Sequence, residues 1–418
     1  MSEWKKVKLG DLATKITKGT TPSNIGESFC DRGIPFIRSE LITQNKYISD
    51  VGLLYISKET HEKLKRSQLE ANDILFSMAG VYLGKTAILR ECDVPANTNQ
   101  AVALIRLDSV LCNVDYIYYY LNQESVIRYV NQISGQAAQP NINLQQIGEI
   151  SIVIPSRKEQ DNIATILSRY DTLIENYQKQ IKLLEEAAQR LYKEWFVDLR
   201  FPGYEDVKMV DGLPEGWERK KLGELVEFKR GKTITKKEAV EGKIPVVAGG
   251  LEPAYYCDKS NTTDRVITIS GSGANAGFTR MYFEKVWASD CSYADTSVTQ
   301  YLHFVFCFLR ENKTIIDNMQ KGAAQPHVYA KDINSLEALL PTKEILDSFE
   351  IKASKVFDTI ASLQTQIRLL TEARDRLLPK LMGGKMEVDA PKGQRATSIE
   401  QRSGHNEQTT NAPKGQKH

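Results

Sequence analysis

The chain is written twice, and this repeat limits what it can fold into more than any other feature. "WKKVKLGDLATKITKGTTPS" from Trp4 returns as "WERKKLGELVEFKRGKTIT" from Trp217. "GIPFI" at Gly33 returns as "GKIPVV" at Gly242, and Ala-Ala-Gln-Pro stands at 137–140 and again at 323–326. "IVIPSRKE" around Pro155 is echoed by "ALLPTKE" around Pro341, and "DTLIENYQKQIKLLEEAAQRL" from Asp171 by "DTIASLQTQIRLLTEARDRL" from Asp358. The landmarks keep one order in both halves, so each half is expected to build the same structural unit. A chain of 418 residues has room for two such cores.

Each half reads as a mixed globular module followed by a long helix: modules at 1–155 and 217–341, helices at 156–200 and 342–382, and a linker at 201–216. Short β-prone runs such as "DILFSMAG", "AVALIRL" and "DRVITIS" are punctuated by Gly, Asn and Pro. Helical stretches follow them, "VDYIYYYLNQESVIRYVNQ" and "TQYLHFVFCFLRENKTIIDNMQ". In the first long helix Leu167, Ile174, Ile181, Ala188 and Trp195 recur every seventh residue, with Tyr170, Tyr177, Leu184 and Leu191 three places later. The second has Leu346, Ala353, Ile360 and Ile367 in one row and Phe349, Val356, Leu363, Leu370 and Leu377 in the other.

Helices that only cover a domain core follow a 3.6-residue period, whereas a sustained 3.5 period marks a coiled-coil seam. The two helices are therefore expected to pair within the chain. An antiparallel pairing of thirty-odd residues would give a rod of about 50 Å with a module at either end. Arg374 interrupts one row, where the seam is expected to fray or open to solvent, and Pro202 is expected to break the first helix. Residues 383–418 are polar, repeat "APKGQ", and bury too little to order themselves, so they read as a disordered tail.

The chemistry is read by elimination. The six cysteines and five histidines are scattered without the closely spaced pairs of a zinc site, and the thiols are expected to be buried and reduced. Net charge is +2, which neither favours nor excludes nucleic acid, since binding needs a basic surface rather than a basic total. The stretch from Ala79 to Thr86 fits the loosest phosphate-loop pattern, but its repeat counterpart, "VITISGSGANAGFTRMYF", has no lysine and threonine after its last glycine. A phosphate loop must also open a helix, and none is signalled downstream of Lys85. The stretch is read as a hairpin. No Asn/Asp-Pro-Pro-Tyr/Phe methyltransferase motif, nuclease-like motif or Gly-x-Ser-x-Gly elbow is present, and Asp290 and Asp295 have no acidic counterparts in the first half.

The motif set "LGDL…TKGTTPS", "GIPFI", "DILFSMAG", "GQAAQPNI", "IVIPSRKEQDNIATILSRYDTLI" and "LYKEWFVDLRFPG" resembles the specificity subunit of type I restriction–modification systems over about residues 1–382. The Pro155-x-x-x-Glu159-Gln160 approach to the first helix and the "EWFVDLRFPG" exit are specific to that family; the second copy has Ile345 and Leu346 in place of Glu-Gln. The resemblance implies an α+β fold with two mixed α/β target recognition domains, joined by two long helices in an intrachain antiparallel coiled coil. It implies that each domain reads half of a split sequence in double-stranded DNA. The helices would set the spacer and dock two methyltransferase subunits, with endonuclease/translocase subunits joining the full complex. The chain itself would be non-catalytic, cytoplasmic and free of cofactors and metal, with S-adenosylmethionine, ATP and magnesium on the partner subunits. The alternative is a coiled-coil adaptor whose modules bind protein or carbohydrate.

Base reading needs directional donors and acceptors, and phosphate contact needs Lys, Arg and backbone amides. In the first module the candidates are Lys18, Thr20, Thr21, Ser23 and Asn24; Arg38 and Ser39; Ser77 and Lys85; Asn97, Asn99 and Gln100; and Gln136 and Asn141. In the second they are Lys229, Arg230, Lys232 and Thr233; Ser272, Asn275 and Arg280; Ser289; and His327 and Tyr329. The repeated Gln-Pro motif is expected to be structural, because modules that read different half-sites should differ where they read.

Overall fold

A computed structural model describes residues 4–43, 45–134, 140–320 and 326–384. Gln136 and residues 385–418, most of the expected tail, lie outside the described residues. The chain divides into two compact units, Met1–Ser168 with Leu377–His418, and Arg169–Arg376, so both boundaries fall within the long helices.

In chain order the first unit carries Lys5–Lys8 (β1), Ala13–Lys18 (β2), Ile34–Ile37 (β3), Leu54–Ile56 (β4), Lys58–Lys63 (α1), Gln68–Leu69 (β5), Ile74–Ser77 (β6), Thr86–Ile88 (β7), Ala96–Thr98 (β8) and Val102–Leu107 (β9). Then come Val114–Leu121 (α2), Glu124–Ile133 (α3), Leu144–Gly148 (α4), Ser151–Ile154 (β10) and the start of Arg157–Phe196 (α5). One antiparallel sheet runs β2-β9-β6-β7, a second runs β4-β3-β8-β5 with β3 and β8 parallel, and β1 pairs with β10. Alternation along β6 fixes the layering. Ile74 and Phe76 enter one core with Tyr116 and Ile117 of α2, whereas Leu75 enters a second core with Ile37, Leu41 and Leu104.

The second unit begins in α5. After a small hairpin, Met209–Val210 (β11) with Leu213–Pro214 (β12), come Glu218–Lys221 (β13), Leu222–Leu225 (α6), Lys229–Arg230 (β14), Ile244–Val247 (β15), Tyr255–Cys257 (β16), Val266–Ser270 (β17), Thr279–Tyr282 (β18), Trp287–Ala288 (β19) and Cys291–Asp295 (β20). Leu302–Glu311 (α7), Lys313–Asn318 (α8), Ala330–Asn334 (α9), Glu337–Leu340 (β21) and most of Lys343–Met382 (α10) complete it. Its sheet order, β14-β20-β17-β18, its parallel pair β15–β19 and its closing pair β13–β21 match those of the first unit, whereas its second sheet, β16-β15-β19, has three strands and, among the described residues, no counterpart of β5. The repeat in the sequence is a repeat of topology.

The long helices have 40 residues each, about 60 Å at 1.5 Å per residue, so they outrun the heptad seam. The extra turns grip the modules. Gln160, 1% exposed, accepts from the Asn113 backbone N–H at the head of α2 and donates to the Pro155 carbonyl. Glu159 closes a capping box with Ser156. This is the physical content of the Pro-x-x-x-Glu-Gln motif. In the second copy Leu346 is buried in place of Gln160, and the grip on α7 moves along the helix to Glu350, whose carboxylate accepts from the His303 and Phe304 backbone N–H groups.

Within the second unit α5 and α10 pair antiparallel: moving from Asp171 to Trp195 along one moves back from Arg374 to Phe349 along the other. Ile174, Ala188, Trp195, Leu346, Phe349, Ala353, Ile360 and Leu363 are buried, and Tyr170, Tyr177, Ile181, Leu184, Leu191, Val356, Ile367 and Leu370 are half-buried. In the first unit Leu167 shares a core with Leu381 and Met382, and Leu377 packs against it. Both helices also cover module core, as Tyr192 meets Phe304 at 5.5 Å and Phe357 meets Phe306 at 5.7 Å. The period of 3.5 therefore does not exclude core packing, contrary to the expectation.

Three further expectations are corrected. The seam does not fray at Arg374, whose side chain is 18% exposed and donates at 2.6 Å to Asp171, 6% exposed. Burial works against the guanidinium's charge, but the Asp171 carboxylate outweighs it and raises the pKa. The first helix ends at Phe196, not at Pro202. Leu199 takes a left-handed φ of 58°, and the Asp198 and Arg200 N–H groups fold back onto the Lys193 and Glu194 carbonyls. The exit motif then closes an aromatic cluster, with Phe196 4.9 Å from Phe304 and Phe201 4.8 Å from Trp217. Lastly, Cys30 and Cys92 are exposed, although Cys112, Cys257, Cys291 and Cys307 are buried.

Removing one partner of a buried ion pair leaves the other charge desolvated. Arg374→Leu should destabilise the chain by about 3–5 kcal/mol, whereas Asp171→Leu with Arg374→Leu should recover most of the loss. Urea denaturation of both variants against the parent chain checks this.

Candidate nucleic-acid interface

Strand direction gathers the polar loops. In the first module β2 ends at Lys18 opposite Ala103, and β6 ends at Ser77 opposite Val102. The loops leaving β2 and β6 and the turn before β9 thus emerge at one end of the sheet. The parallel pairing of Ile37 with Thr98 brings the Arg38 loop to the same end. Hydrogen bonds then bind the loops together. Thr20 N–H donates to the Thr98 carbonyl, Met78 N–H to the Ala101 carbonyl, and Thr21 Oγ1 to Gln100 Oε1. Gly19 permits the closest crossing, since a Cβ there would lie 1.8 Å from the Thr98 carbonyl oxygen.

The second module repeats this device. Arg230 stands opposite Ser292, and Ser270 opposite Cys291. Lys232 N–H donates to the Ala288 carbonyl, and a Cβ on Gly231 would lie 2.3 Å from the Ser289 carbonyl oxygen. The exposed cations Lys229 and Arg230 precede that crossing and Lys232 and Thr233 follow it, as Lys18 precedes Gly19 and Ser23 and Asn24 follow it.

The stretch from Ile74 to Ile88 is a hairpin, with β6 and β7 antiparallel across a turn whose Gly80 and Gly84 have left-handed φ of 68° and 80°. Its counterpart turns at Gly273 and Gly277 with φ of 79° and 84°. A strand, not a helix, follows Lys85, so no phosphate cradle forms; the Lys85 ammonium lies 5.0 Å from the centre of the Tyr82 ring. The segment that starts at Pro140, or at Pro326, latches as a strap onto this turn in both modules: Gly80 N–H donates to the Pro140 carbonyl, and Gly273 N–H to the Pro326 carbonyl, while the rest of the Ala-Ala-Gln-Pro motif lies outside the described residues.

Several candidates serve the scaffold instead. Asn97 is fully buried; its amide donates to the Leu64 carbonyl at 3.1 Å and to Ser67 Oγ at 3.2 Å, and its oxygen meets His61 Nδ1. Ser77 is fully buried on β6, and its hydroxyl has no hydrogen-bond partner among the described residues. Ser289 is 5% exposed and accepts from Ile234 N–H, and Ser39 is 9% exposed beside Glu40. All four side chains are buried in the free chain. Arg280 lies within β18 and is held by the Leu251 carbonyl at 2.9 Å and Glu252 at 3.6 Å. Ser272 donates to Asp290, and Asn275 reaches the Gly249 carbonyl at 3.5 Å.

Gln100, Asn141 and Tyr329 remain exposed, and Thr20, Thr21, Arg38, Lys85, Asn99 and His327 half-buried. Arg66, absent from the sequence-based candidates, donates to Thr20 Oγ1 at 3.1 Å and adds a cation to the first loop end. Its only signal was the basic run Lys63–Lys65–Arg66.

Groups with a nucleophilic or acidic look near these loops are structural. Burial pushes the Cys291 thiol up to about 12. Burial also acts to raise Asp295, but hydrogen bonds from Ser297 and Thr263 prevail and hold its carboxyl below the usual range.

Two repeated sheet ends, each crowned by hydrogen-bonded loops with exposed cations and amides, suit a ligand met twice. The sequence matches the type I restriction modification DNA specificity domain over residues 1–186 and again over 214–372. The chain belongs to that family. It supplies DNA-binding specificity, and each match runs from a module into its long helix, so the helix is part of the repeated unit. The chain is similar to the type I restriction enzyme MjaIX specificity subunit of Methanocaldococcus jannaschii, 28% identical, with 93% of this chain and 94% of that one covered. It is also similar to the HindI specificity subunit of Haemophilus influenzae, 22% identical over 92% of this chain and all of that one. The crystal structure of the S subunit from M. genitalium shares the fold, with a TM-score of 0.53 at 18% identity over 91% of this chain and 96% of that one. No helix among the described residues of this specificity chain is long and apolar enough to cross a membrane.

Because Gly19 is held against backbone rather than a movable side chain, Gly19→Ala should force the loop off the sheet end at a cost of about 1–3 kcal/mol. DNA affinity should fall with it, while Ser23→Ala leaves stability unchanged. Thermal melting and fluorescence anisotropy with target DNA check both variants.

Proposed function

We propose that each module reads one half of a split DNA sequence and that the paired helices set the gap between the halves. The observation that carries this reading is the duplication itself: two sheet ends share one backbone plan but carry different outward side chains. Lys18 and Asn24 on one correspond in the repeat to Lys229, Arg230 and Lys232 on the other. A common scaffold with divergent tips suits two readers of different base sequences.

In this reading the chain is a non-catalytic subunit that works in the cytoplasm. It binds double-stranded DNA, docks two methyltransferase subunits along the helix pair, and joins endonuclease/translocase subunits in the full complex. It holds no cofactor of its own; S-adenosylmethionine, ATP and magnesium belong to those partners. The family match argues against a protein-binding adaptor.

Replacing residues 1–155 with the matching module of a relative should change one half of the modified sequence and leave the other half intact. Genome-wide mapping of modified bases, in a host with no other modification system, reads this out. A change in both halves would contradict independent reading.

A further inference from the structure

Two residues occupy equivalent places on the modules under the same backbone restraint, yet differ in side chain. In the first module Gly80 N–H donates to the Pro140 carbonyl at 3.1 Å, and Ile142 N–H donates to the Met78 carbonyl at 3.0 Å. Asn141 lies between these two bonds and bridges Ala79 across the hairpin root. In the second module Gly273 N–H donates to the Pro326 carbonyl at 3.0 Å, and Val328 N–H donates to the Gly271 carbonyl at 3.1 Å. His327 lies between them and bridges Ser272. Ile142 and Val328, each 1% exposed, anchor the two straps in their cores.

A base-reading side chain needs a backbone that does not yield and a directional polar group that faces outward. Asn141 is exposed and His327 half-buried. The next polar residue on the first strap, Asn143, is already committed: its side chain caps α4 by accepting from Gln146 N–H at 2.8 Å. Its counterpart Tyr329 stacks on His327 at 5.9 Å with 10° between the planes, and so orients the imidazole. Among the other polar residues of the hairpin root and the neighbouring turn, Ser77, Asn97 and Ser289 are buried. Among the described strap residues, Asn141 and His327 thus occupy the same fixed place on the backbone, and the polar side chain there differs between modules where the backbone does not.

We propose that Asn141 and His327 are the base-discriminating residues of the first and second modules. Asn141 offers the paired donor and acceptor that match adenine N6 and N7 in the major groove. His327 offers a ring N–H suited to the N7 or O6 acceptor of guanine. The proposal rests on the split-target reading above.

The test pairs the full chain with the methyltransferase of the proposed complex and maps modified bases in an otherwise unmodified genome, for the parent, Asn141→Ala, His327→Ala and Ser109→Ala, the last an exposed residue at the opposite end of β9. Asn141→Ala should relax one position of the first half-site by roughly ten- to a hundredfold and leave the second half-site unchanged. His327→Ala should do the same in the second half-site alone, and Ser109→Ala should keep the parent sequence. A variant too weak to modify DNA is assayed as the purified complex by selection from a randomised duplex library. Loss of preference at one position supports the proposal, and uniform weakening across all sequences overturns it. Retention of the full parent sequence by both variants also overturns it. A parent complex that yields no two-part sequence would instead sink the split-target reading.

Discussion

An antiparallel seam between helices far apart in the chain is the constraint on which the rest of this structure depends. Each module closes by pairing its first strand with its last, β1 with β10 and β13 with β21, and each last strand runs within a few residues into a long helix. The helix is then gripped by its own module through Gln160 in one copy and Glu350 in the other. Apolar heptad positions alone leave slipped registers nearly equal in energy, because Leu and Ile at one turn resemble those at the next. The buried pair of Asp171 and Arg374 is not interchangeable in this way, since a slip would leave both charges desolvated.

Much of this was legible in the sequence, because repeats and periods are local or self-referential signals. The doubled module, the hairpin at Ile74–Ile88 and the pairing of the helices all follow from pattern. What failed depends on tertiary partners. Arg374 in a heptad row looks like a defect until Asp171, two hundred residues away, is seen opposite it. Asn97 looks like a reader because Asn is polar and sits in a loop-like run, but three neighbours consume its amide. Pro202 looks like the helix stop, yet the stop comes earlier, where Leu199 accepts a left-handed backbone and packs against the aromatic cluster. Conversely, Arg66 reaches the first loop end only because its own loop folds back onto Thr20.

The division of labour between backbone and side chains gives the recognition modules their logic. Gly19 and Gly231 bring two chain segments into backbone contact, and the strap carbonyls of Pro140 and Pro326 pin the hairpin turn in the same way in both copies. With the platform fixed by main-chain bonds, exposed side chains can differ without disturbing it, and sequence preference can change while stability does not. The resemblance of the two modules is in the parts that hold, and their difference is in the parts that face outward.

If the helix pair sets the gap in the target, its length should be written in the DNA that the complex modifies. Inserting one heptad into α5 between Ile174 and Ile181, and one into α10 between Leu363 and Leu370, keeps every seam residue in register. It adds about 10 Å of helix, equivalent to roughly three base pairs at 3.4 Å each. Mapping the bases modified by the lengthened chain together with the methyltransferase proposed as its partner should give the same two half-sites with the gap widened by about three base pairs. A lengthened chain that folds, docks its partner and still modifies DNA at the original spacing would contradict the account.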